Sequence, residues 1–137
     1  MVIPVQAAGT LFVFKYYDNG TKQWTKQLGT SSTDTANGVA TDSSGNVYVA
    51  GGTYGGLDGN TSAGVNDLFV VKYNSSGTKQ WTKQLGTSSR DIAVGVDTDS
   101  SGNVYVTGYT GGGLDGNTSA GARDLFVVKY NSDGVLQ

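Results

Sequence analysis

The sequence predicts an all-β chain of tandem four-stranded antiparallel blades, the unit of a β-propeller, with about two and a half units and so an incomplete ring per chain. Three observations carry this. Near-identical runs, LFVFKY, LFVVKY and LFVVKY, open at Leu11, Leu68 and Leu125, which sets a period of 57 residues. Each period holds four short β-prone runs parted by Gly, Ser, Asn and Asp. No stretch shows helical periodicity, and glycine interrupts at too short an interval for a helix.

The repeat is exact enough to align residue by residue. Trp24 matches Trp81, Asp42 matches Asp99, Tyr48 matches Tyr105, and the loop GGLDGNTSAG beginning at Gly55 recurs letter for letter at Gly112. Roughly three-quarters of positions from Leu11 to Asn66 are identical one period on, and most substitutions fall at turns or small residues.

Taken in order, residues 1–10 (MVIPVQAAGT) lie outside the repeat as a leader or an edge strand. Val5-Gln6-Ala7 has the small-residue character that ends a secretory signal, but no basic start precedes it, so a signal remnant, an expression scar, a natural leader and an added strand all stay open. Residues 11–34 read as the outer two strands of a first blade, 35–91 as a complete blade, and 92–137 as an incomplete third. Leu68 to Tyr73 is apolar at nearly every position, as in a strand buried on both faces. NSSG then turns the chain into Lys79 to Leu85, where Lys79, Trp81, Lys83 and Leu85 alternate with Gln80, Thr82 and Gln84. Ile92 to Asp97 is rich in Val, Ala and Gly, which permits close backbone approach. Asp99 to Asn103 is a tight turn with Gly102 at positive φ, leading into the strand Val104 to Thr107.

Composition narrows the function. The formal net charge is −2 with no basic stripe, so counterion release offers nothing toward nucleic acid. No apolar run is long enough for a membrane-spanning helix, so membrane insertion is not expected. The chain has no histidine, cysteine or glutamate, so a Ser-His-Asp triad, a Cys-His pair and the ordinary zinc sets cannot be assembled within it. Asp97 and Asp99 are two apart on a strand, the spacing of a carboxylate pair, but the first-repeat equivalents are Ala40 and Asp42 and turn formation explains Asp99. A non-enzymatic role is expected, with no cofactor required.

The duplicated loop is the best site candidate. Asp58, Asn60 and Ser62 alternate and are followed by Asp67, and the second copy offers Asp115, Asn117, Ser119 and Asp124. Oxygen donors at that spacing match the first half of a calcium loop, although the twelfth position, where a bidentate acid belongs, is Phe69 or Phe126. Asp-Gly-Asn is equally a turn sequence whose side chains bond their own backbone. Trp24, Trp81, Tyr54 and Tyr109 could stack on sugar rings, or the tryptophans could pack between blades. Asn19, Asn60, Asn74 and Asn117 head glycosylation sequons that small polar turns also produce.

The segments DSSGNVYVTGYT, DLFVVKYNSSGTKQW and GGLDGNTSAG resemble the bacterial beta-propeller repeat abbreviated SBBP, over Leu11 to Gly134. The resemblance implies blade architecture and an extracellular or cell-surface setting, and carries over no shared active site. Three functions fit the sequence: a structural or interaction scaffold that self-associates into a ring or filament, a glycan- or protein-binding module using the DGNTSAG loops with or without calcium, and a fragment of a longer cell-surface protein.

Overall fold

The computed structural model describes every residue except Ala8, and of residues 3–7 only the backbone. Its strands form three antiparallel meanders. The first joins β1 (Val2–Ala7), β2 (Thr10–Tyr16) and β3 (Lys22–Leu28). The middle one is a full four-stranded blade of β4 (Asp34–Thr41), β5 (Val47–Thr53), β6 (Asp67–Tyr73) and β7 (Lys79–Leu85). The third joins β8 (Asp91–Thr98), β9 (Val104–Thr110) and β10 (Asp124–Tyr130), with Leu136 bridging back to Tyr130 on the outer edge of β10. The four sequence runs lie within β6 to β9, and β9 continues to Thr110 because Gly108 and Thr110 stay paired with both β8 and β10.

The N-terminal stretch takes the place of a second strand in the first blade. Val2 pairs with Lys15 and Ala7 with Thr10, the register in which Tyr48 pairs with Lys72 and Thr53 with Asp67. Two residues separate β1 from β2 in the sequence, where the middle blade has the long 54–66 loop. The small-residue reading of Val5-Gln6-Ala7 concerns side chains outside the described residues.

Blades stack face to face, and the alternation of each strand decides which neighbour a residue meets. Between the first and middle blades lie Leu11, Val13, Val47, Val49, Leu57, Phe69, Val71 and Tyr73. Between the middle and third lie Tyr48, Ala50, Leu68, Val70, Val104, Val106, Phe126, Val128 and Tyr130. Thus odd and even residues of β6 feed different cores, which is why LFVV is apolar throughout. Near the inner strands the small residues allow close approach: a Cβ on Gly38 would stand 3.3 Å from the Gly95 Cα of the next blade. Asn37 Nδ2 donates to the Ala93 carbonyl at 2.8 Å across the same boundary.

The turn reading holds at atomic level. Asp99 Oδ1 accepts from the backbone N–H of Ser101 and Asn103, and Gly102 has φ +77°. Asp42 does the same for Ser44 and Asn46 beside Gly45, at φ +76°.

Candidate functional site

Three constructions recur across the blades, and each is built from residues of two neighbouring segments. The first is a tryptophan clasp. The indole N–H of Trp24 donates to the Ser75 carbonyl at 3.1 Å, and that of Trp81 to Ser132 at 3.1 Å, each reaching the turn of the next blade. The rings lean on Tyr73 and Tyr130, with centroids 6.0 and 6.3 Å apart, and cover Gly77 and Gly134. Lys15 and Lys72 add N–H bonds to the Ser75 and Ser132 carbonyls. The tryptophans are therefore inter-blade packing residues. Of the other aromatics named from the sequence, the Tyr54 hydroxyl accepts from Arg90 at 2.8 Å, and the Arg123 guanidinium lies 4.7 Å from the Tyr109 ring centroid.

The second is a buried aspartate lock that sequence reading missed. Asp34 and Asp91 are fully buried at the start of the innermost strands. Asp91 accepts from the Thr87 backbone N–H at 2.6 Å, from the Thr87 hydroxyl at 2.9 Å and from the Thr110 hydroxyl. Asp34 accepts from the Thr30 N–H and the Thr53 hydroxyl, both at 2.5 Å. Each carboxylate ties the connection from the preceding blade to its own inner two strands, and satisfying it through several donors is what permits its burial. The signal was the repeated GTSSxD, an aspartate four residues after a threonine, which looks like loop composition until the threonine is seen to cap it.

The third is the duplicated loop, which works as a socket for the outermost strand. Leu57–Gly59 and Leu114–Gly116 form single 3₁₀ turns, with Asp58 at φ 55° and Asp115 at φ 52°. That left-handed conformation suits Asp or Asn. In the middle blade Asp58 accepts from Lys79 Nζ and, at 2.8 Å, from the Thr82 hydroxyl. Gln84 accepts from the Leu57 N–H at 2.9 Å and donates to the Gly55 carbonyl at 3.0 Å and to Asp67 Oδ2 at 2.7 Å. Asn60 Nδ2 donates to the Leu57 carbonyl, and the Ser62 hydroxyl to the Gly64 carbonyl. The donors singled out for calcium thus serve the turn and β7, and among the described residues no three acidic, His or Cys side chains gather where an ion could sit. Asp67 Oδ1 is buried without a hydrogen-bond partner and faces the Cα of Gly86.

In the third blade the same loop keeps its shape. Asn117 Nδ2 bonds the Leu114 carbonyl at 2.9 Å, and the Ala120 N–H bonds Asp124 Oδ2 at 2.8 Å. The Ser119 hydroxyl also donates to Asp124 Oδ2, at 2.9 Å, the place Gln84 takes on Asp67. Of the suspected carboxylate pair, Asp99 is committed to its turn and Asp97 to the adjacent Thr98 N–H.

Protonation follows these contacts. Lys79 holds the Asp58 carboxyl below the carboxylate range, Asn103 does so for Asp99, and the Ala120 N–H for Asp124. Burial pushes Asp42 up, but hydrogen bonds from Asn46 and Tyr48 outweigh it and leave Asp42 lowered. Burial raises the Tyr73 and Tyr130 phenols to about 12.

The two end blades each present one face with no neighbouring blade in the chain. Leu68 and Val70 are fully buried, whereas their repeats Leu125 and Val127 are 84% and 62% exposed. At the opposite end Phe12, Phe14 and Tyr16 form a stacked row, with centroids 6.4 and 6.5 Å apart, at the positions of Phe69, Val71 and Tyr73. The strand chemistry is the same; only the neighbour differs.

The beta-propeller repeat (SBBP) family matches residues 23–58 and 80–115, together more than half of the chain. Among curated proteins, the chain is similar to the uncharacterized WD repeat-containing protein L264 of Acanthamoeba polyphaga mimivirus, at 32% identity over 92% of this chain and 11% of that protein. It is also similar to the regulatory protein FlaEY of Caulobacter vibrioides, at 30% identity over 96% of this chain and 15% of that protein. The chain thus spans a small part of either relative's length.

Proposed function

The chain belongs to the beta-propeller repeat family, and from that premise we propose that it is a non-catalytic interaction scaffold that self-associates head to tail. The carrying observation is the contrast between buried Leu68 and Val70 and exposed Leu125 and Val127. Inside the chain, a face of the Leu68 type always meets a face of the Phe126 type. The Leu11 face meets Phe69 in the same way. In a second copy, the row Phe12, Phe14 and Tyr16 offers the face that Leu125 and Val127 lack. Because the two faces differ, the contact is heterologous and gives a closed ring or a filament according to the rotation per copy. Its proposed setting is extracellular or at the cell surface, which the resemblance to surface repeat proteins supports.

Sedimentation of the unmodified chain beside Val127→Lys tests this. A lysine on the face costs the assembly its desolvated contact but leaves an exposed position of the single chain nearly untouched. The expected result is a smaller species for the variant, with the melting temperature unchanged at dilutions where both proteins are single chains. Equal sedimentation of the two proteins would refute the reading.

A further inference from the structure

A groove crosses the rim where the first blade meets the middle one. Its volume is about 370 Å³, at the lower end of the range for small-ligand sites. Lys26 and Leu28 of β3 line it on one side, and Tyr73 of β6, Gly77 and Thr78 of the next turn, and Lys79 of β7 on the other. The Lys26 stem lies half-buried along Gly77, where a Cβ would stand 2.8 Å from Lys26 Cε and 2.9 Å from the Trp24 ring. Packing of the stem therefore fixes where its ammonium goes. Lys79 is paired with Asp58, which leaves the Lys26 ammonium as the uncompensated charge of the lining. Among the described residues the side chains of Lys26, Tyr73 and Thr78 make no hydrogen bond or ion pair. Tyr73 is only 3% exposed. The sealed side-chain atoms without a partner are Asn66 Oδ1 and Asp67 Oδ1, so the Tyr73 hydroxyl, which also has none, opens to the groove. Burial raises this phenol to about 12, so the hydroxyl keeps its proton and can donate. The other seam shows that the fold does not require this polar set. There Lys83, Leu85, Tyr130 and Gly134 recur, but Val135 and Leu136 stand for Thr78 and Lys79.

We propose that this groove binds a sugar unit bearing a carboxylate, a uronate of an acidic glycan. The carboxylate takes the Lys26 ammonium in a charge-assisted hydrogen bond. The Tyr73 and Thr78 hydroxyls each donate and accept, which suits the hydroxyls of a sugar ring, and Leu28 offers an apolar surface to one face of that ring. A simple inorganic anion would use Lys26 and leave both hydroxyls idle. A neutral sugar would cover the Lys26 ammonium without pairing it, which costs affinity. The site does not depend on head-to-tail association, because every lining group comes from one chain and lies at a seam inside it.

The probe is trigalacturonate, titrated into the full chain by calorimetry beside its methyl ester and inorganic sulfate. Saturable binding of the trisaccharide is expected, with the ester and sulfate each weaker by about tenfold or more. Lys26→Met keeps the stem over Gly77 and removes the charge, and Tyr73→Phe keeps the ring and removes the hydroxyl. Each should weaken binding about tenfold, while Lys83→Met at the other seam should leave it unchanged. Should Lys26→Met disturb the fold, the ester and Tyr73→Phe still decide. No binding of trigalacturonate, equal binding of the ester or of sulfate, or an equal loss in Lys83→Met would overturn the proposal. Sedimentation of the same samples keeps the two ideas apart: a monomer that binds the trisaccharide upholds this site and refutes self-association, and an assembly that ignores it does the reverse.

Discussion

Truncating the two equivalent leucines, Leu68→Ala and Leu125→Ala, should give very different losses although their sequence surroundings are almost the same. Leu68 is fully buried in the core shared by the middle and third blades, so its truncation removes apolar contact and leaves a cavity between two sheets. Losses of this type run at roughly 3 kcal/mol. Leu125 is 84% exposed, so the same change in a single dilute chain should cost less than about 0.5 kcal/mol. With a urea dependence of about 2 kcal/mol per molar, typical of small proteins, the midpoints should differ by roughly 1 M or more. The assay is urea unfolding followed by the fluorescence of Trp24 and Trp81, at the lowest concentration that gives signal. Association adds a second signature, because a contact made only by the folded state stabilises it by an amount that grows with the logarithm of concentration. The cost of Leu125→Ala should then grow as the protein is concentrated, while that of Leu68→Ala changes little. Equal losses for the two variants at dilution would refute the reasoning, since Leu125 would have to be covered by its own chain.

Asp91→Ala should destabilise by about 3 kcal/mol, since it leaves the Thr87 N–H without its acceptor, empties the space of a buried carboxylate and reduces the Thr110 hydroxyl to its bonds with Gly112; thermal unfolding would show it, and a loss near zero would deny the lock. Acid should lower the melting temperature of the chain progressively below about pH 4. Asp42, Asp58, Asp99 and Asp124 are lowered in the fold, so their contribution is complete above the unfolded value of about 3.9 and is lost as pH falls through the folded values. At the alkaline end, Tyr73 and Tyr130 favour the protonated form up to about 12, so stability should fall as pH rises from about 10 towards that value, followed by phenolate absorbance. A chelator should leave the melting temperature unchanged, because Lys79 and Thr82 already occupy Asp58; a calcium-dependent rise lost in Asp58→Asn would overturn the strand-socket role.

Most of the fold was legible because the repeat states the same strand pattern more than once. A period of 57 residues located the blades, and the alternation of Lys79 to Leu85 against the continuous apolar run of Leu68 to Tyr73 separated an outer strand from a central one. The place of β1 was not legible. Its ladder on β2 is made by main-chain groups, which leave no trace in side-chain identity, and VIPVQA shares no repeat motif with VYVAGGT. The loop was half legible. Asp58, Asn60 and Ser62 at alternate positions are the same pattern in a turn and in an ion site, and the partners of Asp58 in the fold, Lys79 and Thr82, lie more than twenty residues downstream. Asp34 and Asp91 passed as loop residues because their burial depends on hydroxyls from strands paired only in three dimensions, Thr53 and Thr110.

The central claim is that the exposed Leu125 and Val127 face of one copy meets the half-buried Phe12, Phe14 and Tyr16 row of another. Native mass spectrometry of the unmodified chain at micromolar concentration tests it most directly. The account predicts a dimer, a trimer or a longer polymer whose population shrinks on dilution, with the Leu125 and Val127 faces buried. A compact, well-folded monomer across that range would contradict it.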